Sequence, residues 1–211
     1  MYAIAHAATA LAIRRRVPEA SLWAVLVGVQ AVELIWIVLS LAGVERASIH
    51  GGRLALDFLP YSHSVTSGLV VAAAAYAAAS ATGRSRRVAW ALAIAVFSHI
   101  VLDVVQHQPD VRLFPAAVGP RLGTGLLDRP WLDLAIELAY CLGCAWLARG
   151  RPALYAGMVI LNLLNLPTML QLPAVIEPVA AHPMLLPVLI LAQIVITWLF
   201  VARFGQRRGP A

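Results

Sequence analysis

The sequence predicts an all-α polytopic membrane bundle of six or seven transmembrane helices, forming a single integral membrane domain over residues 1–211. Three observations predict it. Of 211 residues, 61% are hydrophobic and 12% charged, against about 45–50% and about 25% in soluble domains. The mean hydropathy is +0.81. Apolar runs recur along the whole chain at lengths near the roughly 20 helical residues that cross a bilayer core. This composition excludes a soluble globular enzyme and a disordered chain. The net charge of +6 comes from arginines alone. They sit in short clusters between apolar runs, which speaks for membrane topology rather than nucleic-acid binding.

Residues 1–13 contain His6 and lack a basic start and a small-residue cleavage site, so they do not read as a signal peptide. They form either a seventh, short or tilted span or a half-helix packed on the bundle. Six further runs follow at 21–44, 64–83, 88–106, 131–148, 153–176 and 183–202. The fifth of these six is interrupted by Pro167 and Pro173. The long connections, rich in Gly and Pro, read as ordered turns.

Every second connection is arginine-rich: Arg14–Arg16, then Arg84, Arg86 and Arg87, then Arg149 and Arg151, then Arg203, Arg207 and Arg208. The positive-inside rule places these, and the C-terminus, in the cytoplasm. Connections 45–63, 107–130 and 177–182 then face outward. The absence of Lys, with Arg and Ala abundant, suggests a high-GC bacterial genome and therefore a bacterial inner membrane.

An ionisable residue in a span costs roughly 2.5–3.5 kcal/mol on insertion scales and signals function by default. With the orientation above, His6, His63, His99, Asp103, Asp133 and Glu137 fall in the outer half of their runs, with Glu33 deepest. The inner halves carry none, which suggests one outward-facing site between helices. His99 and Asp103 are spaced i, i+4 and share a helical face, as do Asp133 and Glu137. Imidazole and carboxylate from one rigid face suit a divalent metal, zinc first and manganese or iron next.

Asp57 reads as a ligand, an orienting group or a solvated loop residue. His107 and Asp110 bind substrate or cap the helix end. Cys141 and Cys144 read as small packing residues inside an apolar helix. The loop from Gly119 to Gly125 follows no strand, so it is no dinucleotide fingerprint.

At these positions the sequence resembles the bacterial inner-membrane metal-dependent hydrolases, a family described as LexA-binding and inner membrane-associated. His6 matches an early helical histidine. Tyr61-Ser62-His63-Ser64 resembles the family's Thr-His-Ser block. Ser98-His99 through Asp103 resembles its His-x3-Asp helix, and Val111-Arg112-Leu113-Phe114-Pro115 its closing block. The resemblance covers roughly residues 1–115 and leaves the three membrane helices within 129–203 without a motif. The family's Pro-Asp-x-Asp element is absent, which leaves Glu33 or Asp57 to stand for it.

Together these readings give three expectations. The first is an enzyme: zinc held by His63, His99 and Asp103, with His6 and one of Glu33 or Asp57. Glu33 or Glu137 serves as general base, and His107, Asp110 and Arg112 (or Arg121) contact a lipid-linked ester or phosphoester. The second is a metal or proton-coupled transporter, which needs a path from both sides. The third is a structural or partner-binding membrane protein.

Overall fold

The computed structural model describes residues 1–50, 53–115, 119–182 and 184–205, giving only the backbone of 47–50 and 53–57. Helix α1 (Ala3–Arg16) leads to α2 (Leu22–Val29) and α3 (Ala31–Leu41). A hairpin of β1 (Arg46–His50) and β2 (Arg53–Phe58) precedes the long pair α4 (Val65–Ala81) and α5 (Arg86–Gln106). A two-residue ladder of β3 (Val111–Arg112) and β4 (Arg121–Leu122) follows, then a 3₁₀ turn at Leu126–Asp128. The chain continues through α6 (Pro130–Leu147), α7 (Pro152–Leu164), α8 (Leu166–Met169), α9 (Pro173–Ala181) and α10 (Leu185–Phe204).

Helices dominate, as the composition demands. The six long runs, however, do not each become one straight span. Four stretches are long and apolar enough to cross a membrane: α5, α6, Pro152–Met169 and α10. The run 21–44 is two helices bent by 54° at Gln30, a fifth span if the pair counts as one. Helix α4 is apolar but has 17 residues. The run 153–176 ends its span at Met169, and Pro173 instead opens the separate helix α9. Proline is favoured in the first turn, where its missing N–H has no helical partner. The two long connections, 45–63 and 107–130, also hold more regular structure than turns, since both form short antiparallel hairpins.

Helix α1 is the hub. Eight consecutive residues, Ile4 to Leu11, are buried. At about 1.5 Å per residue, its 14 residues are shorter than the roughly 30 Å hydrocarbon core. It packs against α2, α5, α6 and α10. Cys141 and Cys144 belong to the same apolar core as Leu11, Leu26 and Met158, unpaired and buried.

Among the described helices, α4 and α5 share the most extensive contact. A Cβ on Gly68 would lie 2.5 Å from Ile100 Cγ1, so only glycine permits this approach. Ser64 and Ser85 cap the two helices by accepting from the Ser67 and Val88 amides. Outward faces of α5 and α10 expose Trp90, Ile94, Val101, Ile196 and Leu199, an apolar surface of the kind that meets lipid.

Candidate metal centre

Helix ends and breaks, rather than helix middles alone, assemble the site. The bend at Gln30 puts Glu33 in the first turn of α3. At the same break Val29's carbonyl accepts a hydrogen bond from His99 Nδ1 at 2.9 Å. His99 and Asp103 lie one turn apart on α5, and both are buried. His63 precedes the Ser64 cap of α4. His6 comes from buried α1, its ring stacked on that of His99 with centroids 3.9 Å apart.

Two hydrogen bonds fix two tautomers. A carbonyl can only accept, so His99 Nδ1 carries a proton toward Val29, and in the neutral ring Nε2 is the acceptor. For His63 the chain is longer. Ser62 Oγ donates to Glu45 Oε2 at 2.5 Å. Its proton is thereby committed, so the 2.7 Å bond between Ser62 Oγ and His63 Nδ1 has the imidazole donating. In the neutral ring His63 Nε2 is then the acceptor, and with Nε2 protonated as well it donates to Glu33 Oε2 at 3.2 Å. Glu45 is itself held by the Tyr61 and Ser62 amides, both donating to Oε1.

Both Nε2 atoms meet carboxylate oxygens. His63 Nε2 lies 3.2 Å from Glu33 Oε2 and 3.6 Å from Asp103 Oδ2. His99 Nε2 lies 3.3 Å and 3.2 Å from the same two atoms. Around a tetrahedral zinc with bonds of about 2.0–2.1 Å, neighbouring donor atoms stand about 3.3–3.4 Å apart. Four of the six edges of such a tetrahedron are therefore in place. His99 Nε2 and Asp103 Oδ2 are buried without a hydrogen-bond partner. Leaving an acceptor in that state costs about 1–3 kcal/mol, and a cation at the centre of the four atoms would remove the cost. Glu33, His63 and His99 place donor atoms within 4.8 Å of one another, a group that could hold a divalent metal, and Asp103 Oδ2 stands beside both imidazoles.

His6 occupies the other side of Asp103. Its Nε2 donates to the Met1 carbonyl at 2.9 Å and lies 3.5 Å from Asp103 Oδ1. His6, His99 and Asp103 also place donor atoms within 4.8 Å of one another. The Met1 backbone nitrogen is 2.8 Å from the same Oδ1. His107 follows α5, with Nε2 3.9 Å from Asp103 Oδ1 and Nδ1 3.2 Å from Asp110.

A cavity of about 190 Å³ adjoins the cluster. His6, Glu33, His63, Asp103 and His107 line it with Gln30, Gln106, Thr168 and Gln193, and Trp36, Leu59 and residues of α9 and α10 supply its apolar lining. Asp133 and Glu137 are not among its lining residues. They form a separate buried pair bridged by Gln106, whose Nε2 donates to Asp133 at 2.9 and 3.0 Å and to Glu137 Oε1 at 3.0 Å. Glu137 Oε1 also accepts from the Tyr2 amide. Arg112 is half-buried in β3, paired with Arg121 in the ladder and bridged by backbone to Ser64, and does not line the cavity. The side chain of Asp57 lies outside the described residues.

The sequence reading missed Glu45 and Ser62. Glu45 ends an apolar run where a solvated loop residue is expected, yet it is 1% exposed. The adjacency of Ser62 and His63 was the visible signal. Glu45 is linked to them only by the fold. No protein-family model, curated protein or solved structure matches the chain.

Proposed function

We propose that the protein is an integral membrane metal-dependent hydrolase with an outward-facing intramembrane site, acting on a lipid-linked ester or phosphoester. The observation that carries this reading is the convergence of two oriented imidazoles and two carboxylates beside a largely apolar cavity, which Glu33, His63 and Asp103 of that cluster line. His63, His99 and Asp103 hold the metal, with zinc the first candidate. The metal would supply a bound water acidified toward a pKa of about 7 and a Lewis acid for a carbonyl or phosphoryl oxygen.

With the metal on His63, His99 and Asp103, Glu33 leaves its corner of the cluster to a water and is the general base. Its side chain is 17% exposed, against 3% for Asp103, so it is the carboxylate that reaches the open space. A base within hydrogen-bond reach of the attacking water can take its proton. Seven membrane crossings accommodate the chain when α1, the bent α2–α3 pair, α4 and the α7–α8 stretch each count as one. The arginine clusters then set the C-terminus in the cytoplasm of a bacterial inner membrane. The likeness to the inner-membrane metal-dependent hydrolases fits the same picture.

Metal content decides the reading. Wild type, His99→Ala and Asp103→Ala are purified in detergent and analysed by elemental mass spectrometry, with hydrolysis of p-nitrophenyl esters and bis(p-nitrophenyl) phosphate followed alongside. Stoichiometric metal in wild type and its loss in both variants are expected. Unchanged metal in both variants overturns the reading.

One observation favours a second reading, a metal or proton-coupled transporter. The bend at Gln30 breaks a span beside the site, and broken helices are a transporter device. Metal uptake into proteoliposomes, abolished by Glu33→Gln, would select it.

A further inference from the structure

We infer that the apolar half of the cavity between α9 and α10 is the seat of a single hydrocarbon chain of the substrate, entered sideways from the lipid. This deepens the proposed function and rests on it for the identity of the polar head. Three observations carry the inference.

First, the cavity lining joins the ionisable cluster to a set of apolar side chains. Glu33, His63, Asp103 and His107 line it. So do Ile176 and Val179 of α9, Leu186, Leu189 and Ile190 of α10, and Trp36 of α3, with Gln193 of α10 the polar exception on that helix. An amphiphile with its head at the cluster would lay its tail along the apolar side chains. A freely water-soluble substrate would leave them uncovered.

Second, the wall reaches the lipid-facing surface. Leu189 lines the cavity and is 43% exposed. Its neighbours on α10, Val188 and Leu191, belong to the exposed apolar surface of that helix. An acyl or isoprenoid chain can therefore pass from the bilayer to the cavity without crossing water.

Third, α9 suits a movable wall. It is nine residues long with Pro178 inside it, and a helix-interior proline removes a backbone hydrogen bond. Only Ile176 and Val179 of α9 are buried, and both line the cavity. Its inward face is thus turned to the space the chain would fill rather than to a fully packed core.

The test uses the full-length protein in lipid nanodiscs and dodecyl phosphate carrying a diazirine at the chain end. After irradiation, labelled residues are located by peptide mass spectrometry. Labels concentrated in 173–190 and suppressed by unlabelled dodecyl phosphate are expected. Val179→Trp, which fills the wall, should lower that labelling about tenfold while bound metal is unchanged. Leu189→Trp, at a half-open position that tolerates bulk, is the second variant should Val179→Trp fail to fold. Labels spread evenly over the exposed faces of α5 and α10, or labelling indifferent to both variants, overturn the inference. Absence of metal with focused labelling would sink the hydrolase reading alone, and metal with diffuse labelling would sink the tail seat alone.

Discussion

The Val29 carbonyl and His99 Nδ1 stand 2.9 Å apart, and that bond joins a backbone irregularity to the chemistry of the site. Helix α2 ends at Val29, one residue before the 54° bend. A carbonyl at a helix C-terminus lacks its intrahelical partner. His99 supplies one and in doing so turns its Nε2 toward Glu33 and Asp103. His99→Ala should therefore lose more than a ligand. Metal affinity should fall further than the about 10–100-fold typical of removing an orienting partner. Equilibrium dialysis against a zinc buffer series, read by elemental mass spectrometry, checks this. A variant that keeps wild-type affinity removes His99 from the centre.

Ser62→Ala isolates the orienting chain from the ligands. It deletes the oxygen that accepts from His63 Nδ1 and donates to Glu45. All four candidate donor atoms survive. The expected result is unchanged metal stoichiometry with affinity weakened about 10–100-fold. Ser62→Thr, which keeps the hydroxyl, should recover most of it. Equal affinity in Ser62→Ala and wild type would mean that His63 is held by packing and not by this chain.

How much of this was legible in the sequence depended on whether the signal was local. Ionisable residues in apolar runs stand out because each carries an insertion cost. His6, Glu33, His63, His99 and Asp103 were visible for that reason, and the fold gathers them. Glu137 was equally conspicuous, but its partners are Gln106 and the Tyr2 amide, and no periodicity shows which buried acid faces a cavity. The break at Gln30 has no proline, and the apolar run reads straight through it. Its cause is tertiary, with buried Gln30 donating to the Ala3 carbonyl at 3.1 Å. The apolar wall from α9 was hidden in turn because 153–176 reads as one run, whereas Pro173 starts a new helix.

Gly68→Ala tests whether the α4–α5 contact holds the site in register. The added Cβ would fall 2.5 Å from Ile100 Cγ1. That atom is close to the backbone of the residue following His99, so it cannot swing away freely. Overpacking of this kind costs about 1–3 kcal/mol. Thermal unfolding in detergent should show the loss, and Ile100→Ala added to Gly68→Ala should restore part of it. Additive destabilisation by the two changes would place the strain elsewhere.

The two candidate bases separate by where their oxygens lie. Glu33 lines the cavity beside His63 and His99, whereas Glu137 is fully buried and committed to Gln106 and the Tyr2 amide. Losing a positioned general base costs about 10²–10⁴ in turnover. Glu33→Gln should show a loss of that size in kcat with the metal still held by His63, His99 and Asp103. Glu137→Gln, which keeps an oxygen for the Tyr2 amide, should leave kcat within a few fold and act instead on stability. Buried carboxylates that share one amide donor are costly to keep charged, so neutralising one of them relieves repulsion with Asp133 even as it weakens the bond to Gln106. Steady-state kinetics on metal-loaded protein, with unfolding temperature measured on the same samples, reads both effects. A large kcat loss confined to Glu137→Gln would move the reacting water to the Asp133–Glu137 side of Gln106.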